Sequence, residues 1–525
     1  MKRISLIAIA LLAAATFSAN AQGMEDALRY SQPFYVGSAR TMAMGNAFTA
    51  LGGDLGAMGI NPASTALYNC CEFAITGGFS WDKNNALFET TEGNFTSTGK
   101  RTVFTVPNIS MVFSLPTGRD AGLVSYSFGF GYNKIANFNT RVSYRGDDGE
   151  SSLLGKIAAG LEGVDNSYLM ADDAYEVGYC TNQEILAYDT YLVNPYHQLS
   201  DSYIGATENE WLGGGLGVDN ILDKDYDRIV KGGIYDMSFN FGLNFSDRLY
   251  LGVNANINMV DYKDDMFYSE NGDISGNYFD SGFKSMSYNY IQETSGAGVN
   301  LQFGAIWVPF NFLRLGATYT TPTSYELTDR WRETMSSSFD GSTSYKSADS
   351  ESPVMSYQYR VTAPSRYSLG AALVFGRAGL LSFDYEGADY GKTRIDDHDY
   401  DYKVFQQVNE DLEYYCGKSN IIRIGAELNL PKDFSIRSGY SRHMFKYHDP
   451  EERYYTKYLS FGFGKRLSEN STIDVAFRKR LKETYTTAPY DDYAFNDAGV
   501  AQCLAPVAEI NNKAYDLMLT YKVKF

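Results

Sequence analysis

The chain has 525 residues, with 63 Asp and Glu against 45 Lys and Arg and a formal net charge of −18. That balance argues against nucleic acid as a partner, because its phosphates need Lys and Arg. A soluble chain of this length would divide into about three domains of about 150 residues each. The 43 Tyr, 32 Phe and 49 Gly, beside only 4 Trp and a mean hydropathy of −0.31, fit a different design. A transmembrane β-barrel sets one apolar face on lipid and one polar face on its lumen, so its average hydropathy stays low.

Residues 1–21 read as a secretory signal peptide. Lys2 and Arg3 precede the apolar run Ile4–Phe17, and Ala19-Asn20-Ala21 is a small-x-small cleavage site. The run is too short for a spanning helix, and nothing after it is long and apolar enough to be one. Loss of Lys2 and Arg3 with the leader takes the formal charge from −18 to −20.

Residues 22–70 are expected to form a plug. Its centre is Val36–Ser64, the one sustained Ala/Met/Gly-rich segment of the mature chain. Ser38 is a helix N-cap, and Met42, Ala47, Phe48 and Leu51 give the helix one apolar side. Gly52-Gly53 ends it. Asn61-Pro62-Ala63 turns the chain, since proline fixes its own φ and biases Asn61 away from the helical region. Taken alone, this could equally be a short helix at the edge of a soluble domain; the strands that follow place it inside a barrel.

Residues 71–525 show recurring period-two alternation. Val124, Tyr126, Phe128, Phe130 and Tyr132 alternate with Ser and Gly; Met237, Phe239, Phe241, Leu243 and Phe245 alternate with Ser, Asn and Gly. Short connections are expected near 115–121, 246–248, 308–312, 376–379, 430–433 and 467–471. Long ones are expected near 82–101, 136–232, 264–284, 323–354, 393–418, 447–455 and 484–511. This gives fourteen antiparallel strands with both ends on the short-turn side, as in outer-membrane barrels. The largest loop, 136–232, carries two candidate helices, Ser151–Leu161 and Asn182–Tyr191, and a Gly213–Gly217 hinge that lacks the Lys-Ser/Thr of a phosphate loop. An odd number of cysteines leaves one or more unpaired or paired between chains, with a link among Cys180, Cys416 and Cys503 possible. The alternating C-terminal strand ends on Phe525 and resembles the signal read by the barrel assembly machinery.

With these residues in view, GSARTMAMGNAFTALGGDLGAMGINPAS resembles the N-terminal hatch of the FadL/TodX long-chain fatty acid and hydrocarbon transporters of Gram-negative outer membranes. YDMSFNFGLNFSDRLYLGVNAN (235–256), LSFDYEGADY (381–390) and NIIRIGAELNLPKDFSIRSGY (420–440) agree with it, and LAYDTYLVNP (186–195) is similar to members from the Bacteroidetes branch. The resemblance implies a fourteen-stranded transmembrane β-barrel plugged by a hatch of short helices. It also implies that a hydrophobic small molecule passes from the loops to an apolar lumen pocket and leaves sideways into outer-membrane lipid. The exit would lie near the third strand, where Gly129 and Gly131 allow a kink and toward which Asn61, Pro62 and Ala63 would point. Met42, Met44 and Phe48 would help to line the pocket.

Arg423, Glu427 and Arg437 fall on inward faces, where they would meet a ligand carboxylate or, more commonly, brace the wall as an ion network. Asp223, Asp225 and Asp227 begin like a calcium loop, but Arg228 replaces the glycine of its sharp turn. His398 among acidic residues reads as a solvated loop. His443 and His448 would be the residues for a haem-binding receptor. No Ser/His/Asp set has motif spacing. The expectation is a passive channel with no enzymatic activity, no metal and no cofactor. The alternative is a barrel of the same type that docks partners for a secretion apparatus.

Overall fold

Alternation of aromatic or aliphatic residues with Gly, Asn and Ser is what a strand needs when one face meets lipid and the other a packed polar interior. The computed structural model describes residues 23–196, 201–208, 216, 219–398, 404–446, 453–481, 483–495 and 501–525. Within them such segments form a closed antiparallel ring of fourteen strands. These are β1 (Glu72–Thr90), β2 (Gly93–Pro116), β3 (Leu123–Asn137), β4 (Leu222–Phe245), β5 (Leu249–Asn271) and β6 (Phe283–Phe310). Next come β7 (Leu313–Thr320 and Thr323–Phe339), β8 (Met355–Ala363 and Arg366–Val374), β9 (Gly379–Asp389) and β10 (Lys418–Leu430). The ring is completed by β11 (Phe434–Lys446), β12 (Arg453–Arg466), β13 (Ser471–Arg480 and Glu483–Thr487) and β14 (Val507–Lys524). β14 closes on β1 from Glu72↔Lys524 to Glu89↔Val507.

All six expected short turns are present, and they share one end of the barrel. In the β4–β5 turn, Ser246 (φ 54°) and Asp247 (φ 55°) take left-handed conformations, as tight hairpins demand. Above these turns the outward positions form an apolar belt that includes the exposed Phe128, Phe239, Val299, Phe303, Phe383 and Phe463.

The strands run further than their hydrophobic pattern suggests. The segment expected as a loop at 82–101 is a β1–β2 hairpin paired to Thr90↔Gly93. β3 continues to Asn137 and is followed by an extension strand, Thr140–Asp148, on β4. Most of 323–354 is β7. β6 alone has 28 residues, whereas about 9–11 cross a bilayer. The upper halves stand in water and carry charge on their outer faces, as in Arg141–Asp227 (2.8 Å) and Lys263–Glu293 (2.6 Å). Cross-strand ion pairs replace the apolar stripe there, which hides the strands from a hydrophobicity reading. Asp223 and Asp227 therefore lie on a strand and pair with Arg145 and Arg141, not in a calcium loop.

The long loops pack together as a cap. The expected loop helices form as α3 (Leu153–Leu161) and α5 (Asn182–Asp189), with the one-turn α4 (Ala174–Val177) between them; α1 and α2 belong to the N-terminal segment described below. Leu154, Ile157, Leu186, Val193, Tyr203 and Tyr490 are buried in one core. Lys224 anchors the cap, with its Nζ 2.5 Å from Asp148 and donating to Ser151 O and Tyr490 Oη. The disulfide left open by the sequence is not formed: all five cysteines are free. Of the Gly213–Gly217 hinge only Leu216 is among the described residues.

Candidate functional site

The N-terminal segment fills the barrel. α1 (Met24–Ser31) is followed by an extended stretch and then α2 (Ala39–Ala43). Ser38 caps α2 as expected, its Oγ accepting from Thr41 N. The helix is far shorter than the sequence implied. Gly45 (φ 63°) and Asn46 (φ 60°) turn left-handed and end it long before Gly52-Gly53. Short 3-10 turns follow at Leu55–Ala57 and Pro62–Leu67.

A seat of wall glycines holds this hatch. A Cβ on Gly304 would lie 2.0 Å from Asn61 Oδ1, on Gly252 2.3 Å from Pro62 C, on Gly316 2.0 Å from Thr49 O, and on Gly439 2.1 Å from Gly45 N. No other residue lets the hatch backbone approach so closely. A buried ion network latches it. Arg40 Nε and Nη2 donate to the two oxygens of Glu427 at 2.8 and 3.0 Å. Arg437 bridges Glu427 (2.5 Å) and Asp474 (2.7 Å), and Lys522 bridges Asp474 (2.7 Å) and Asp54 (3.0 Å). Three cations and three carboxylates balance, so the latch itself buries no net charge.

Above the hatch lies an aromatic chamber. α1 occupies it, with Tyr30 edge-on to Phe138 and Tyr262 and the Arg29 guanidinium 4.4 Å over the Tyr262 ring. Tyr325, Tyr359, Tyr390 and Phe405 complete the cluster.

Among the described residues the wall is interrupted beside this chamber. β2 and β3 are hydrogen-bonded from Pro116↔Ser125 to Asn108↔Asn133 and no further. Pro107 follows at that point without an N–H to donate. A register shift against β1, between Thr76↔Asn108 and Gly78↔Thr105, puts a bulge at Val106-Pro107. Higher up, side chains of β2 and β1 reach the segment that follows β3: Arg101 Nε donates to Asn139 Oδ1 (3.1 Å) and Asn84 Nδ2 to Arg141 O (2.8 Å). Between these levels lies a recess of about 290 Å³ lined by Val103, Phe104, Val106, Tyr132, Tyr235 and Lys134, among others. On its inner side the hatch strap takes over the edge of β3: Phe34 N donates to Ile135 O (2.6 Å) and Val36 N to Lys134 O (3.3 Å).

No protein-family profile and no curated protein matches the chain. Solved structures do. A Pseudomonas aeruginosa FadL homologue superposes with a TM-score of 0.52 at 9% identity, covering 94% of this chain and 100% of that one. The P. putida toluene transporter TodX gives 0.50 at 14% identity, covering 93% and 98%. A TodX variant described as a monoaromatic hydrocarbon channel gives 0.51 at 14%, with the same coverage.

The chain has the FadL-type fold.

Within this FadL-type barrel the residues singled out from sequence fall into four groups. Met42, Met44 and Phe48 are fully buried, Met42 against Ala476 and Met518, and Met44 and Phe48 against Ala57, Ile60 and Ala372. They pack the hatch to itself and to the wall. Asn61, Pro62 and Ala63 face β4, β5 and β6, where Asn61 Nδ2 donates to Thr49 O (2.6 Å) and Ala305 O (3.2 Å) and Asn240 Nδ2 donates to Pro62 O (2.9 Å). Gly129 and Gly131 face inward onto Met58, in a stretch where β3 is paired on both edges. The interruption starts above them, at Asn133. Arg437 joins the latch, whereas Arg423 pairs with Glu386 at 2.7 Å and keeps Nη1 buried without a hydrogen-bond partner.

His443 is 6% exposed, stacked on Phe34 at 5.0 Å and edge-on to Tyr458, while His448 lies outside the described residues. His398 faces Glu326 from 3.6 Å. The sequence reading missed Pro107, Lys134, Asp54, Asp474 and Lys522. A proline inside an otherwise extended run was the available signal for the first.

Proposed function

We propose that this protein is an outer-membrane channel for hydrophobic small molecules, long-chain fatty acids first among them, and that it releases them sideways into the bilayer. The interruption between β2 and β3 carries this reading. The hatch, seated on glycines and latched by ions, blocks the straight path down the lumen, whereas the recess opens on the apolar belt. A chain of a dozen methylenes costs about 10 kcal/mol to expose to water, so a sideways route avoids the largest barrier of a straight one. The FadL and TodX structures with the same fold are described as a FadL homologue and a toluene transporter, which supports a channel and not an enzyme. The exposed apolar belt supports insertion into outer-membrane lipid.

Uptake of radiolabelled oleate by cells carrying the intact chain tests the proposal. Thr105→Trp, placed in the recess, is expected to reduce uptake severalfold while the barrel keeps its heat-modifiable migration. Uptake equal to that of cells without the protein would refute the channel. Undiminished uptake by the Trp variant would refute the sideways route.

The docking alternative has one observation of its own. Tyr168, Met170 and Tyr179 stand exposed on the cap, two of them with ring centroids 4.4 Å apart. Retention of a secreted protein by the wild type, lost on Tyr168→Ser and Tyr179→Ser, would favour it.

A further inference from the structure

The recess contains a charge that the wall does not need. Lys134 follows the outward series Tyr126, Phe128, Phe130 and Tyr132 on β3, yet it is only 2% exposed. Its Nζ lies 5.5 Å from the Tyr235 ring centroid, beside the stacked Tyr132–Tyr235 pair (5.6 Å, 11°). One donor is used, toward Asn137 Oδ1 at 3.0 Å. Asp261 at the outer rim and Asp516 on the lumen side act on it through space. Neither comes within ion-pair distance, and among the described residues Lys134 has no ion-pair partner. An ammonium has three donors, and a buried charge is ordinarily paired. Every other buried cation of the lumen discussed above has a carboxylate in contact, as Arg437, Lys522 and Arg423 do. The walls around Lys134 are mixed: Thr105, Asn139 and Asp261 line one part, and Val103, Phe104 and Val106 give an apolar side on which Phe104 stands exposed at the outer surface.

From this juxtaposition we infer that Lys134 is a specificity residue of the side opening: it holds the carboxylate of an amphiphile whose alkyl tail already lies along Phe104 and Val106 toward the bilayer. The inference rests on the channel reading and deepens it, because it separates carboxylates from neutral hydrocarbons. The tail contributes apolar burial that both classes share; the head contributes a charge-assisted bond that only the carboxylate makes.

The test is competition against a fluorescent fatty-acyl probe on the full chain in nanodiscs of zwitterionic lipid at pH 7, using dodecanoic acid and dodecan-1-ol. For the wild type the acid is expected to displace the probe about ten- to a hundredfold more tightly than the alcohol, the range of one hydrogen bond to a charged group. Lys134→Met should bring the ratio near one by weakening the acid alone, and Lys134→Arg should retain most of it. Heat-modifiable migration confirms that each variant is folded. An unchanged ratio in folded Lys134→Met overturns the inference. A Lys134→Met effect on phosphatidic acid retention with no effect on the acid-to-alcohol ratio also overturns it, in favour of a membrane-lipid phosphate. Equal displacement by acid and alcohol in the wild type removes the inference and leaves the channel standing, whereas displacement by neither removes both.

Discussion

Lys522→Met is expected to release the hatch while leaving the wall intact. Lys522 Nζ lies 3.0 Å from Asp54 of the hatch and 2.7 Å from Asp474 of β13, and both carboxylates are fully buried. Asp474 keeps Arg437 at 2.7 Å after the change. Asp54 keeps its bonds from Ser38 Oγ (2.6 Å) and Gly56 N (3.0 Å), but Lys522 is its one ion-pair partner among the described residues. Stranding a buried charge costs about 3–5 kcal/mol. At about 1.4 kcal/mol per tenfold, the undocked hatch should rise about a hundredfold to a few thousandfold in population.

Hydrogen–deuterium exchange of the folded protein reads this directly. The amides of Ala39, bonded to Thr520 Oγ1 (2.7 Å), and Thr49, bonded to Asp384 (2.8 Å), should exchange faster, with β5 and β6 unchanged. Asp54→Asn with Lys522→Met removes both charges and should recover much of the protection. Additive effects of the two single changes, or equal acceleration in the wall, would refute the latch.

Four further outcomes follow from the geometry. Gly304→Ala drives a Cβ to 2.0 Å from Asn61 Oδ1 and 2.7 Å from Pro62 Cδ, so it should cost about 1–3 kcal/mol in the urea midpoint. Gly77→Ala, whose Cβ would meet only the Phe104 ring at 3.5 Å, should be near neutral. Burial at the C-cap of α6 (Gln406–Tyr415) pushes the Cys416 thiol up to about 12, which leaves about a thousandfold less thiolate than an ordinary thiol at the same pH. Iodoacetamide should therefore label Cys416 slowly at pH 8 in the folded protein and rapidly in urea; rapid labelling when folded would contradict its burial. Burial likewise raises the Cys180 thiol, to about 11, so its labelling in the folded protein should also lag a free thiol, though by less.

Much of this barrel was legible in the order of residues. Period-two alternation is a local consequence of pleating, so Tyr126–Tyr132 and Met237–Phe245 announce strands, and the Ser246-Asp247 turn announces a hairpin. Short and long connections in alternation give the strand number. The loop helices were legible for the same local reason: α5 begins at a capping box, Thr181 with Glu184.

What only the tertiary structure decided lies where distant segments share one space. Asp54, Glu427, Asp474 and Lys522 are far apart in the chain, and burial inside one ring turns them into a latch. Met42, Met44 and Phe48 carry no local sign that close packing, and not a pocket, consumes their apolar surface. The side opening depends on a bulge at Val106-Pro107, the end of a ladder at Asn108↔Asn133, and a strap from Phe34 and Val36. Each is a failure or substitution of long-range pairing. Sequence periodicity reports which face a residue takes, whereas the partner across the ladder is fixed only when the ring closes.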